Sequence, residues 1–419
     1  MYQGKNIKEQ SKIFIKLLLP VLIYQIISYS SSMIGTFMAG HYSPTDLAGV
    51  SMGVNIWNPV MYTLNSIVLA IVPIVSQLIG KGREQEIPTK VRQFLYIAVF
   101  ISIILIIGLN TLAEPIVNSL GMDENIARVT KKYLFYESIG VLPIFLYVVL
   151  RAFMDSLGLT RLSMIMMVIS VPVNVLLAYG FIFGKLGMPE LGGAGNGMAV
   201  SLTYTVLFFI ALFLTLNHPK INKYKIFEKE GIKFIHWLEI FKLGVPIAIA
   251  TALETVVFST LSLMVSRFDT TIIASHQAAL NFSGFLYSLP VSVANTVTII
   301  VAYHVGAKNY KMAKRYTLLG VIMGMIFAFI AGLIVWIFDS NIPYLYSKDL
   351  GVIALTAHLL LYAIGFAICD SFASALAGVL RGYKKVIPIC VAMFIGYYLV
   401  GIPVAYFLVF KKGIGIDGL

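Results

Sequence analysis

The sequence predicts an all-helical fold that crosses a membrane many times and is built as two lobes of six spans each. Three observations predict it: an apolar composition, a series of long hydrophobic runs, and an internal repeat. Of the 419 residues, 59% are hydrophobic and 12% are charged, and mean hydropathy is +0.88. A soluble domain carries about 25% charged residues, so the surroundings of this chain are hydrocarbon and not water.

The apolar runs fall at 13–40, 47–79, 93–118, 130–157, 162–184, 195–217, 237–266, 274–305, 315–338, 351–380 and 387–410. Several exceed the roughly 20 residues that suffice to cross a bilayer, so they are expected to tilt or bend. The first run is too long for a cleavable signal and is followed by ten more. With the N-terminus in the cytoplasm, 21 Lys and Arg residues fall inside and 8 outside, which satisfies the positive-inside rule. The outer set is Arg128, Lys131, Lys132, Lys185, Arg267, Lys348, Lys411 and Lys412. Arg151 and Lys242 lie near cytoplasmic helix ends and can snorkel. The net charge of +12 therefore marks topology and predicts no nucleic-acid partner.

The chemistry of enzymes is missing from the pattern. Cys369 and Cys390 fall inside predicted helices, so no disulfide framework is implied. The six histidines have no metal-ligand spacing. No phosphate loop, nucleophile elbow or HExxH motif occurs, and neither ATP hydrolysis nor covalent catalysis is expected.

The one long polar stretch, 218–236, divides the chain into an N-lobe at 1–217 and a C-lobe at 237–419, with the stretch itself as a cytoplasmic linker. The lobes repeat. Pro20 matches Pro246, Ala48 matches Ala274 and Gly80 matches Gly306, each at an offset of 226, and Gly158 matches Gly382 at 224. Six spans per half return the chain to the same side, so the two bundles are expected to be related by an axis along the membrane normal. By the repeat, a twelfth span should begin at Leu419, and the sequence reads as lacking that helix.

Two carboxylates, Glu254 and Asp370, lie deep in apolar segments. A charge there costs several kcal/mol unless it is offset, and the default reading is an ion or proton site. Ionised, the pair offers the oxygen ligands that hard cations such as Na⁺ take; protonated, it forms a relay. The competing reading is a satisfied interhelical hydrogen bond. Glu254 follows Pro246 by eight residues, about two turns, and proline bends a helix; Pro20 and Pro246 are the candidate hinges. Phe258, one turn beyond Glu254, is either a cation-facing ring or a core residue. Gln277, Asn281, Ser283 and Tyr287 keep near-helical spacing on the eighth span and either line a cavity or tie helices together. Asn174, after Pro172, carries the same two readings. Asp155 follows Arg151 at i+4, which suits an ion pair, and Glu137 lies nearer the outer face with a similar structural explanation.

At these residues the chain resembles the multidrug and toxic compound extrusion (MATE) transporters of the NorM-type branch. The similar stretches are MAGHYSPTDLAGVSMG (38–53), PIVSQLIGKG (73–82), LETVVFSTLSLMVS (253–266), ASHQAALNFSGFLYSLPVSV (274–293) and AICDSFASALAGVLRGYKK (367–385). The resemblance implies a two-lobe transporter of twelve helices that exports organic cations or drugs in exchange for Na⁺ or H⁺. It implies a cation site at Glu254 and Asp370 with Phe258 beside it, and drug contacts at Gln277 and Tyr287; Asn281 and Asn174 complete the candidate substrate set. One position departs. Many relatives carry an aspartate in a first-helix pattern like DTxMxGH, where this chain reads GTFMAGH with Gly35. Either the second lobe couples alone or transport is impaired.

The expectation is thus a monomeric, multi-pass antiporter of the bacterial inner or plasma membrane, taking small organic cations as substrate and Na⁺ or H⁺ as coupling ion, with no other cofactor. A flippase for lipid-linked oligosaccharides is the competing transport reading; it calls for deep basic residues, whereas the deep charges here are acidic. A non-transporting membrane protein gains support only from Gly35 and the short C-terminus.

Overall fold

The structure, a computed structural model, describes every residue except Met1, Ser266, Arg267, Ser340, Lys348 and Leu419. The outer bases Arg267 and Lys348 and the expected twelfth-span start at Leu419 therefore lie outside the described residues. The chain order is α1 (Ile7–Tyr42), α2 (Pro44–Val68), α3 (Ile71–Gly80), α4 (Ile87–Ser119), α5 (Glu124–Ser156), α6 (Thr160–Phe183) and α7 (Gly195–Asn217). A short turn, α8 (Pro219–Asn222), leads to α9 (Phe234–Val265), α10 (Thr270–Gly306), α11 (Tyr310–Phe338) and α12 (Leu350–Gly382). The last span joins α13 (Ile387–Met393) to α14 (Ile402–Tyr406) through π-helical turns. Eleven helical segments among the described residues are long and apolar enough to cross a membrane, one for each run expected from sequence.

Helix starts are set locally. Ser43 accepts from the Asp46 amide and Pro44 takes the first helical position, where its missing N–H costs nothing. Asp123, Asp269, Asn309 and Asp349 cap α5, α10, α11 and α12 in the same way, each satisfying an amide that the helix itself leaves free.

The repeat extends to backbone geometry. α2 and α10 begin at Pro44 and Thr270, and α5 and α12 at Glu124 and Leu350, in both cases 226 residues apart. One sequence anchor is corrected by this register. The left-handed residue after α5 is Gly158 (φ 75°), and its counterpart at offset 226 is Lys384 (φ 58°), not Gly382. Gly82 (φ 69°) and Lys308 (φ 56°) form a second such pair. Gly382 instead sits against Val301, where a Cβ would come within 3.1 Å.

Two compact units divide the chain, 26–248 and 1–25 with 249–419. The division falls within α1 and α9, a few residues after Pro20 and Pro246. In the 26–248 unit, α5 is the central helix, packed by α2, α4 and α7. Small residues let backbones approach: a Cβ on Gly140 would meet Ser201 Cα at 2.6 Å, and one on Gly197 would meet the Tyr133 carbonyl at 2.7 Å. In the other unit α10 and α12 pack along their length, a Cβ on Gly378 would lie 2.4 Å from the Ala294 carbonyl, and Thr298 donates to Gly378 O at 2.9 Å.

The polar linker is strapped to the 26–248 unit. Arg92, 9% exposed, donates to Ile226 O at 2.9 Å, Lys225 O at 3.0 Å and Glu230 at 2.6 Å. Tyr96 donates to Glu230 O at 2.6 Å, and Gln93 bridges Gly231 O and the Lys233 amide. Lys223 and Tyr224 both donate to Glu84 at 2.8 Å. Burial, and then the bond to Glu84, push the Tyr224 hydroxyl up to about 12, so it stays a donor at any physiological pH.

The lysines at left-handed positions generate a prediction. A side chain there costs about 1–2 kcal/mol, partly offset by the greater backbone freedom glycine loses on folding. Lys384→Gly and Lys308→Gly are each expected to stabilise the protein by about 0.5–1 kcal/mol, read as a higher melting temperature in detergent.

Candidate functional site

The acid pair is assembled inside the 1–25/249–419 unit by three helices. α9 carries Glu254, α10 carries Tyr287 and α12 carries Asp370. Tyr287 donates its hydroxyl to Glu254 Oε1 at 3.0 Å. The same tyrosine lines a small recess with Asp370, Ser283, Leu286, Pro290 and Phe366. Ser374, one turn further on, lies close enough to Asp370 for its hydroxyl to act on the carboxylate. Asp370 lies close enough to Glu254 to feel its charge, and Tyr287, bonded to Glu254, borders the same recess as Asp370.

Phe258 meets the site through Phe366: their rings stand edge to face, 6.1 Å apart at 85°. Gln277 and Asn281 lie earlier than Tyr287 on α10, both exposed, with the Asn281 amide donating to the Gln277 carbonyl at 3.0 Å. Asn174 belongs to the 26–248 unit, where it is 3% exposed and donates to Thr203 at 3.4 Å. Arg151 and Asp155 form the expected i,i+4 pair at 3.0 Å, and Ser163 donates to the same aspartate at 2.6 Å.

Besides Ser374 and Phe366, two more distant site residues escaped the sequence reading. Tyr397, in the last span, lies in the field of both acids. Arg381, counted as a topology marker, reaches Glu254 and Tyr287 electrostatically from the last turn of α12. Its position eleven residues beyond Asp370, three helical turns on the same face, was the available signal.

The donor set around the pair is all oxygen: two carboxylates, the Ser374 hydroxyl and the Tyr287 phenol. That chemistry suits a hard monovalent or divalent cation, or a proton, and offers nothing to a soft metal. Among the described residues no cluster of three or more His, Cys, Asp or Glu side chains occurs.

In the other unit, Gly35 has a structural explanation. A Cβ at this position would lie 1.7 Å from Asn196 Oδ1 and 2.2 Å from its Cγ. The amide of Asn196, itself 3% exposed, fills the space a side chain at 35 would take. Gly35→Asp alone is therefore expected to destabilise the protein by about 1–3 kcal/mol through overpacking. Combining it with Asn196→Ala should recover most of that loss, and melting temperatures of the single and double variants check it.

Comparison with known proteins agrees with the fold and the repeat. The MatE family model matches twice, at residues 20–180 and 246–407, again 226 residues apart at the start. "Probable multidrug resistance protein NorM" of Oceanobacillus iheyensis is 40% identical over 409 residues, covering 97% of this chain and 92% of the relative. The protein of the same name from Bacillus subtilis is 39% identical over 420 residues, covering 100% and 93%. Among solved structures, the eukaryotic MATE transporter AtDTX14 superposes with a TM-score of 0.88 at 20% identity, covering 98% of this chain and 91% of that one. A MATE structure in the straight conformation also gives 0.88, at 14% identity, covering 97% and 90%. With eleven apolar helices, a duplicated MatE match and near-full-length NorM relatives, this chain is a multi-pass membrane protein that belongs to the MATE family, on its NorM branch.

Proposed function

We propose that the protein is a secondary active antiporter that exports small organic cations or drugs across the bacterial plasma membrane, driven by inward movement of Na⁺. The observation that carries this reading is the acid pair: the charge of Glu254 reaches Asp370, Glu254 accepts from Tyr287, and Tyr287 and Asp370 line one recess. The names of the NorM relatives supply the multidrug class. The N-terminus is on the cytoplasmic side in this reading, and the working unit is the monomer.

Two negative charges inside a membrane repel each other and cost desolvation energy. One bound Na⁺ relieves both. Carboxylate oxygens of Glu254 and Asp370 would hold it, with the Ser374 hydroxyl and the Tyr287 oxygen as neutral ligands and Phe258 and Phe366 closing the apolar side. Arg381 sets the opposing term. Its positive charge stabilises the ion-free pair, so Na⁺ binds strongly enough to be captured and weakly enough to be released. The membrane potential adds about 2.3 kcal/mol per charge per 100 mV to entry.

Coupling requires that ion and drug favour different conformations. Glu254 stands two turns beyond Pro246, and the chain passes between compact units at 248/249; a change of charge at Glu254 thus acts on the segment where α9 changes unit. Pro20 and the 25/26 crossing in α1 supply the matching joint. Gln277, Asn281 and Tyr287 are the proposed drug contacts of this unit, and Asn174 is the proposed contact of the other. Tyr287 links drug and ion because it also bonds Glu254.

Efflux of a fluorescent organic cation from vesicles, with and without a Na⁺ gradient, tests the site. Glu254→Gln and Asp370→Asn are each expected to reduce Na⁺-stimulated efflux at least about tenfold, the loss of roughly 1.4 kcal/mol or more of ion binding. Full Na⁺ stimulation in both variants rules the assignment out. Tyr287→Phe removes one hydrogen bond to a charged group, about 1.5–3 kcal/mol. It is expected to change the Na⁺ concentration for half-maximal efflux by about tenfold or more while leaving folding intact.

A further inference from the structure

We propose that Glu137, in the 26–248 unit, is a proton-binding site separate from the acid pair, taking up and releasing one proton as that unit opens to water. It lies on α5, thirteen residues after Glu124, about 20 Å along the helix. It is 1% exposed. Tyr133 donates to its Oε1 at 2.8 Å, and Oε2 has no hydrogen-bond partner among the described residues.

The surroundings are a built site. Two glycines make room for Tyr133: a Cβ on Gly53 of α2 would come within 2.4 Å of the ring, and one on Gly197 of α7 within 3.2 Å. Ser201 of α7 donates to the Tyr136 carbonyl at 2.7 Å and reaches the Glu137 carbonyl at 3.4 Å. The backbone around the acid is thus satisfied and its one side-chain donor is held in place, while the second carboxyl oxygen is left open.

No cation offsets it among the described residues. Tyr62 of α2 approaches Tyr133 and brings no charge of its own. Asp46, also on α2, is held by Ser43 and the Gly193 amide. On α4, Lys90 pairs with Glu239, Arg92 with Glu230, and Glu114 with Lys131 of α5. Arg128 and Lys132 sit on the outer turns of α5, and Arg151 pairs with Asp155 near its other end. α3 and α7 carry no charged side chain, and Tyr204 of α7 packs on Tyr147. Arg161 opens α6 beyond the C-terminal end of α5. An ionised carboxylate with one hydrogen bond is strongly disfavoured in such a place, so the arrangement described here suits the neutral acid. When the unit opens, water solvates the carboxylate and accepts the proton; closure requires its return. The site is independent of Na⁺ binding at Glu254 and Asp370.

Infrared spectroscopy of the purified protein in lipid vesicles, titrated with pH, tests this. The wild type is expected to show a protonated-carboxyl stretch at neutral pH that Glu137→Gln abolishes and the Glu254→Gln/Asp370→Asn double variant retains. Efflux of the fluorescent cation should lose its pH dependence in Glu137→Gln. An unchanged band in Glu137→Gln, or pH profiles that superimpose on wild type, overturns the proposal. If Glu137→Gln does not fold, Tyr133→Phe decides: loss of its hydrogen bond should shift the stretch to higher frequency, and an unmoved band counts against the site. Because the double variant isolates the Glu137 band, failure here leaves the Na⁺ reading standing, and the reverse also holds.

Discussion

Hydrocarbon cannot solvate a carboxylate, and the layout of this protein follows from how it meets that constraint. The acids within the spans are not all met in the same way. Asp155 is neutralised by Arg151 on its own helix and hydrogen-bonded by Ser163. Glu239 meets Lys90. Glu254 has one hydroxyl donor and a distant guanidinium, and Asp370 has a nearby hydroxyl and the repulsion of Glu254. The first two are finished structures. The last pair makes no salt bridge among the described residues, so a bound cation or a proton would offset its charge, which is the ground for the ion site proposed above.

The duplicated architecture makes the asymmetry informative. Elements recur at offset 226, down to the left-handed residues that follow α3 and α5 and their counterparts. The acid pair does not recur. By the same offset Glu254 corresponds to Ser28 and Asp370 to Ile144, so only one unit received this pair. The other unit keeps its space filled: Asn196 occupies the gap at Gly35, and Tyr133 occupies the notch at Gly53.

Much of this was legible in the sequence because the bilayer simplifies the problem. Length and hydropathy locate every span, since a helix in lipid must be long, apolar and internally hydrogen-bonded. The buried acids stood out for the same reason. What the sequence hid was three-dimensional adjacency. Tyr397 looked like one aromatic residue among many, and Arg381 looked like a topology marker, until helices far apart in the chain were packed. Gly158 was matched to Gly382 by residue type, whereas the backbone conformation recurs at Lys384. That the linker is strapped down was hidden because Arg92, Gln93 and Tyr96, which hold it, lie more than a hundred residues upstream.

The discontinuous make-up of the 1–25/249–419 unit governs how the chain is put together during synthesis. Its first twenty-five residues leave the ribosome long before their neighbours in that unit exist. The other unit can close once residue 248 has been inserted, but the opening half of α1 must wait, already membrane-inserted, until the last helices are made. Phe14 and Leu18, 0% and 1% exposed in the finished protein, are apolar, and lipid tolerates an apolar surface awaiting its partners as it would not a polar one.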